Sequence, residues 1–172
     1  MFVNPKEVIE NGWVKFPDWM NDEFKQKCVQ PNAIDFTIDM VFDHVDDESF
    51  MLSEELKVMR KQKKQQPIDG YYEINHMVDF ASDFYVDVPA GYAVQLIIRS
   101  TLNRNGLYLT SGLYDSGFQG HIAGILHNRG PIAYIAPQTR IGQVIFIKSE
   151  DSGILYAGGY NHQQGTHWTT TH

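Results

Sequence analysis

Between Arg99 and Phe146 the polar residues fall at the ends of short apolar runs. Arg99-Ser100 closes the run 92–98. Asp115 lies in the tight turn Tyr114-Asp115-Ser116-Gly117-Phe118, and Arg140 and Gln143 open the run that ends at Phe146. A carboxylate in such a turn keeps a fixed direction, and Gly117 lets backbone approach a ligand closely. Alone, an Asp-Ser-Gly also serves to stabilise its own turn. Beside arginines and an amide, the same carboxylate can orient and deprotonate a water while the cations neutralise an anion. Strand ends that carry charged and amide groups can converge them on one pocket.

The elements that would do this are strands. Residues 107–110, 121–126, 132–136 and 143–146 read as short strands. They are separated by Asp115-Ser116-Gly117, Asn128-Arg129-Gly130-Pro131 and Pro137-Gln138-Thr139-Arg140, with Asn103-Arg104-Asn105-Gly106 before the first. Upstream, 71–74, 83–88 and the buried run 92–98 read the same way. Ile34, Phe36 and Ile38 alternate with Asp35, Thr37 and Asp39, the pattern of a half-buried strand. Helix signals are confined to the start. Asn4-Pro5 caps and opens a helix that Asn11-Gly12 stops, 13–16 alternates as a short strand, and Asp18 or Asn21 can cap a second short helix carrying Met20 and Phe24. Many short strands with regular turns predict an all-β sandwich, jelly roll or barrel.

Composition sets bounds. The chain has 172 residues, 42% hydrophobic and 13% aromatic, enough for the core of one globular domain spanning 1–172. A net charge of −7 argues against a protein built to bind nucleic-acid backbones. The basic run at 60–64 follows the acidic Asp46-Asp47-Glu48 and has no aromatics between its cations, so 43–69 reads as a flexible surface excursion. The lone Cys28 rules out an intramolecular disulfide and suits a reducing cytoplasm. No apolar run approaches a membrane span, and the N-terminus lacks a signal-peptide layout. The tail 156–172, rich in glycine and small polar residues, reads as mobile. His162, His167 and His172 have neither the spacing nor the companions of a zinc site.

The ordered set of motifs resembles the dUTPase and dCTP deaminase superfamily. Arg99-Ser100-Thr101-Leu102 with Asn105-Gly106-Leu107 is similar to its phosphate-binding element. Gly112-Leu113-Tyr114-Asp115-Ser116-Gly117-Phe118-Gln119-Gly120 is similar to its catalytic-aspartate motif, followed by Asn128-Arg129-Gly130. Pro137-Gln138-Thr139-Arg140-Ile141-Gly142-Gln143-Val144-Ile145-Phe146 is similar to the next motif. Several motifs in order form a specific signal where one would be weak. Gln30-Pro31 through Phe36 resembles a further element, in which Asp35 supports the site at most and is otherwise a solvent-facing strand carboxylate.

The resemblance implies a distorted jelly-roll (β-clip) fold, a homotrimer with sites at subunit boundaries, and a pyrimidine deoxynucleoside triphosphate as substrate. It implies that Asp115 positions the attacking water and that Phe118 packs on the deoxyribose. Phosphates would be held by Ser100, Arg99 or Arg104, Arg140 and Gln143, with Thr101 and Gly112 as further substrate-binding residues and Mg²⁺ carried mainly by phosphates and water. Tyr156, Gln163 and Gly165 match the deaminase branch's tail, which closes over the triphosphate; Gly159 stands where that tail has a lysine. The deaminase branch also places a proton-shuttling glutamate five residues after the glycine that ends the aspartate motif. Here that position is Ile125, which cannot transfer a proton. Gly112 is dUTPase-like, whereas Arg104 matches the deaminase branch. The reading is therefore a dUTP diphosphatase, releasing dUMP and pyrophosphate. Its alternatives are a dCTP deaminase with a relocated acid/base, a dCTP pyrophosphatase, or a non-catalytic nucleotide-binding regulator.

Overall fold

Local signals place the first helices of the computed structural model, which describes residues 1–45 and 49–161. Helix α1 (Pro5–Glu10) begins with Asn4 accepting the Lys6 N–H at 3.0 Å and proline in its first turn, where a missing N–H leaves nothing unpaired. After β1 (Val14–Lys15) comes α2 (Asp22–Cys28). Of its two candidate caps it uses Asn21, which accepts from the Phe24 N–H at 2.8 Å.

The rest is almost all strand: β2 (Ile34–Ile38), β3 (Met40–His44), β4 (Met51–Leu52), β5 (Lys57–Val58), β6 (Gln62–Lys64), β7 (Tyr72–Ile74), β8 (Met77–Asp87) and β9 (Tyr92–Ile98). A short helix α3 (Ser100–Arg104) precedes β10 (Leu107–Thr110), β11 (Gln119–Asn128), β12 (Ala133–Ile135) and β13 (Thr139–Lys148). All ladders are antiparallel. The larger sheet runs β10-β11-β8-β3-β6, with β1 also on β8. The second runs β2-β13-β9, and β12-β7 and β4-β5 form two small ribbons. The two main sheets face each other across an apolar core, in which Phe36 of β2 stacks on Phe80 of β8 with ring centroids 5.8 Å apart. Ile34, Ile38, Phe84, Ile122 and Leu126 extend that core. The all-β architecture expected from the turn spacing is the one observed.

Three local differences matter. Strand β2 is buried at all five positions rather than at alternate ones, because Asp35 and Thr37 are covered too. Residues after Arg99 coil into α3, which the apolar periodicity of 92–98 does not announce. Strand β8 starts at Met77, six residues before the predicted 83–88 strand, so Asp79 is drawn into the larger sheet. Within the basic stretch, Gln62–Lys64 pairs with β3 as an edge strand, while residues 49–61 carry the exposed β4-β5 ribbon; Asp46-Asp47-Glu48 lie outside the described residues. Among the described residues no helix is long and apolar enough to cross a membrane.

Candidate active site

Strand register builds the first half of the site. Gln143 of β13 pairs directly with Asp35 of β2. Directly opposed residues of an antiparallel pair share a face, so the Gln143 amide reaches Asp35 and donates from Nε2 to Oδ1 at 2.9 Å. The β13–β2 register shifts between Arg140 and Gly142, and such an irregularity re-aims a side chain. Arg140 Nη1 lies 3.2 Å from Asp35 Oδ2 and also donates to the Lys27 carbonyl at the end of α2. Arg99, just past β9, brings Nε to 3.2 Å from the same Oδ2, and its Nη1 donates to the Arg140 carbonyl at 3.1 Å.

Asp35 is only 1% exposed, whereas the Arg99 and Arg140 side chains are 30% and 25% exposed. One carboxylate between two guanidiniums leaves a surplus positive charge at the surface, and Nη2 of both arginines has no protein partner among the described residues. The arrangement suits a multiply charged oxyanion, because guanidinium forks match phosphate geometry. Cys28 lies buried beside this cluster; burial pushes its thiol up to about 11, which makes it unreactive at neutral pH.

The second half is the turn between β10 and β11. Phe118 N–H donates to the Asp115 carbonyl at 3.0 Å, closing the turn, and Gly117 has φ +86°, a conformation that favours glycine. The turn is anchored to β8 and β9. Gly117 N–H donates to the Val88 carbonyl at 2.7 Å, Ser116 Oγ donates to the Tyr92 carbonyl at 2.7 Å, and Tyr114 bridges Val94. Asp115 itself is exposed. Phe118 is buried, edge-on to Tyr114 at 4.8 Å and to Tyr156 at 5.6 Å, so in this chain its ring serves the core.

The remaining expected residues are dispersed. Ser100, Thr101 and Arg104 are exposed on α3, and Thr101 with Leu102 lines an apolar groove that Leu107, Ala133 and Ile135 complete. Gly112 is exposed in the loop before the turn. Tyr156 seats on the turn, its N–H donating to the Ser116 carbonyl at 2.7 Å; Gln163 and the three tail histidines lie outside the described residues. The structure therefore brings Arg99, Arg140 and Gln143 together around Asp35, and Asp115, Phe118 and Tyr156 together at the turn. No hydrogen bond or ion pair among the described residues joins the two groups. Nor does any group of three or more His, Cys, Asp or Glu side chains among them form a metal cage.

Two features differ from the sequence reading or escape it. Asp35 is not the solvent-facing carboxylate that its place in an alternating strand suggests; strand pairing buries it among Arg99, Arg140 and Gln143, a place compatible with the supporting one that the resemblance implies. Asp79 is paired directly opposite Ile125 and is 1% exposed, and burial raises its carboxyl pKa to about 7. His44 Nε2 lies 3.3 Å from Asp79 Oδ2 without hydrogen-bond geometry, and burial lowers the His44 pKa. Only the signal of an aspartate inside an apolar run, Val78-Asp79-Phe80, was available to find it.

Comparison with known proteins bears on the family and the fold. A dCTP deaminase-like family model matches residues 17–149. A Methanopyrus kandleri protein named "probable deoxyuridine 5′-triphosphate nucleotidohydrolase" is 30% identical over 148 residues, covering 84% of this chain and 92% of its own. The "dCTP deaminase, dUMP-forming" of Mycobacterium tuberculosis is 30% identical over 135 residues, covering 74% of this chain and 70% of its own. Among solved structures, the 2′-deoxycytidine 5′-triphosphate deaminase of Agrobacterium tumefaciens superposes with a TM-score of 0.60 at 13% identity. The match covers 82% of this chain but only 45% of that one, and at that identity the likeness bears on the fold alone. With the family model spanning most of its length, and the paired sheets in place, the chain belongs to the dCTP deaminase-like family, which it shares with dUTPases.

Proposed function

We propose that this protein is a dUTP diphosphatase: water attacks the α-phosphorus of dUTP in line, and dUMP and pyrophosphate leave. The observation that carries this reading is the arginine pair held by Asp35, a preformed cationic cradle for a polyphosphate. Asp115 orients and deprotonates the water, and Arg99 and Arg140 neutralise the phosphates as charge develops. Mg²⁺ fits this residue set only as an ion carried by phosphate oxygens and water, since Asp35 is committed to the arginines. Preference for uracil is supported by Ile125, which offers no proton shuttle, and by the name of the methanogen relative.

One observation favours a second, dCTP-directed reading. Asp79 places a carboxyl directly opposite Ile125, uncharged in part at neutral pH and beside His44. A carboxyl that titrates near the working pH is suited to proton transfer. Incubating pure protein with dUTP and with dCTP, and resolving the products by chromatography, separates the two. The diphosphatase reading expects dUMP from dUTP and no ammonia from dCTP. Ammonia release that is lost in Asp79→Asn would establish the second reading instead.

A further inference from the structure

The segment after Leu155 does more than lie against the turn that carries Asp115; it takes up that turn's free backbone groups one by one. Tyr156 N–H donates to the Ser116 carbonyl at 2.7 Å. The side-chain amide of Asn161 then closes over the far end. Its Oδ1 accepts the Gln119 N–H at 2.6 Å, and its Nδ2 donates to the Gly117 carbonyl at 3.3 Å. A Cβ on Gly117 would sit 3.0 Å from the Leu155 Cβ and 3.2 Å from the Tyr156 nitrogen, so contact here is already close. The Asp115 side chain is exposed, so it is the backbone of its turn that sets where its Cα lies and which way its Cα–Cβ bond points.

We propose that Asn161 is a positioning residue for Asp115, its amide bridging Gly117 and Gln119 so that the turn presents the carboxylate in one fixed direction. This rests on the reading of Asp115 as the water-orienting group. The amide suits this place because its acceptor and its donor sit on two separate atoms, Oδ1 and Nδ2; an aspartate of the same shape can only accept. The two bonds span the turn on its C-terminal side, while Ser116 Oγ and the Val88 carbonyl hold its other side. Removing the bridge leaves the fold anchored but frees the turn to rock, and a small misplacement of a catalytic group is costly to the chemical step.

The test uses the full chain and four variants: Asn161→Ala, Asn161→Asp, Asp115→Asn and the double Asp115→Asn/Asn161→Ala. Steady-state dUTP hydrolysis is measured together with calorimetric binding of a non-hydrolysable dUTP analogue and thermal unfolding. Asn161→Ala is expected to lower kcat about tenfold or more while KM and analogue affinity stay within about threefold, the pattern of an interaction that matters to the chemical step. Asn161→Asp keeps an acceptor for Gln119 and recovers part of the rate. In the Asp115→Asn background the alanine change costs nothing further, because the two residues act as one unit. An unchanged kcat in Asn161→Ala, a rise in KM at full kcat, or rate losses that multiply in the double variant overturns the proposal while leaving the Asp115 reading intact. Full activity in Asp115→Asn overturns that reading, and the positioning role with it.

Discussion

At the scale of single residues, three aspartates in different surroundings do different work. Asp115 is exposed on a rigid turn, and Asp115→Asn is expected to lower turnover by orders of magnitude while nucleotide still binds; near-normal single-turnover hydrolysis in the variant would remove it from the mechanism. Asp35 is buried between two arginines, and Asp35→Ala leaves both guanidiniums without their counter-charge. Loss of one partner from a buried pair costs about 3–5 kcal/mol, toward the lower end here because the arginines reach solvent. A urea midpoint that does not move would show that the cluster contributes nothing to stability. Asp79 is buried beside His44, and burial raises its pKa from 3.8 to about 7. Between those values the folded chain keeps a proton that the unfolded chain has released, so this group's contribution is full below about pH 4 and is lost as pH rises through about 7. The difference is of order 4 kcal/mol at most. His44 beside it has a lowered pKa and acts in the opposite sense as pH falls. Urea titrations of the parent chain and of Asp79→Asn, at pH 5.5 and pH 8, isolate the aspartate: the parent loses more stability between those pH values than the variant does.

At the scale of elements, the site depends on how β13 is laid between β2 and β9. Gly142 sits at that crossing, where a Cβ would press into the Phe36 ring and lie 3.0 Å from the Ile97 carbonyl. Gly142→Ala is expected to cost about 1–3 kcal/mol by overpacking. Because Gln143 and Arg140 flank the position, it also weakens binding of a dUTP analogue, which calorimetry would measure; unchanged stability and affinity would show that the strand yields freely. These elements were unequally legible in the sequence. Helix α1 and the turn at Asp115 could be read because a cap, a proline and a glycine act within a few residues. Strands β9 and β10 followed from apolar runs bounded by turn residues. The Asp35 cluster could not be read, since Arg140 and Asp35 are 105 positions apart and meet only through sheet pairing and an irregular register. Asp79 was hidden by its neighbours: a polar residue within an apolar run does not by itself mark where a strand begins. The motifs of the resemblance named Arg99, Arg140 and Gln143 together and gave Asp35 at most a supporting place; that all three side chains meet at Asp35 is visible only in the structure.

At the scale of the whole molecule, a single chain holds the Asp115 turn and the Asp35 cluster as separate groups, and much apolar surface remains uncovered. Ile68, Tyr71, Ile132 and Tyr134 are all exposed around the small β12-β7 ribbon. Exposed apolar side chains gathered about one element mark surface that association would bury, at about 25 cal/mol for each Å² removed from water. A closed cyclic assembly uses the same pair of surfaces at every boundary and can set one chain's turn beside its neighbour's arginines. The resemblance to the superfamily implies a homotrimer with its sites at the boundaries, and we propose that this uncovered surface is one that such an assembly buries. Light scattering at micromolar concentration should give three times the 19.7 kDa chain mass. Tyr134→Glu places a charge in the uncovered region without touching either half of the site. It should lower the assembled mass and the turnover together, with the fold retained by circular dichroism. A parent protein of monomer mass would overturn the trimer. A dissociated variant with full turnover would mean that one chain closes its own site, and that the turn and the arginine pair approach each other by a movement within the chain.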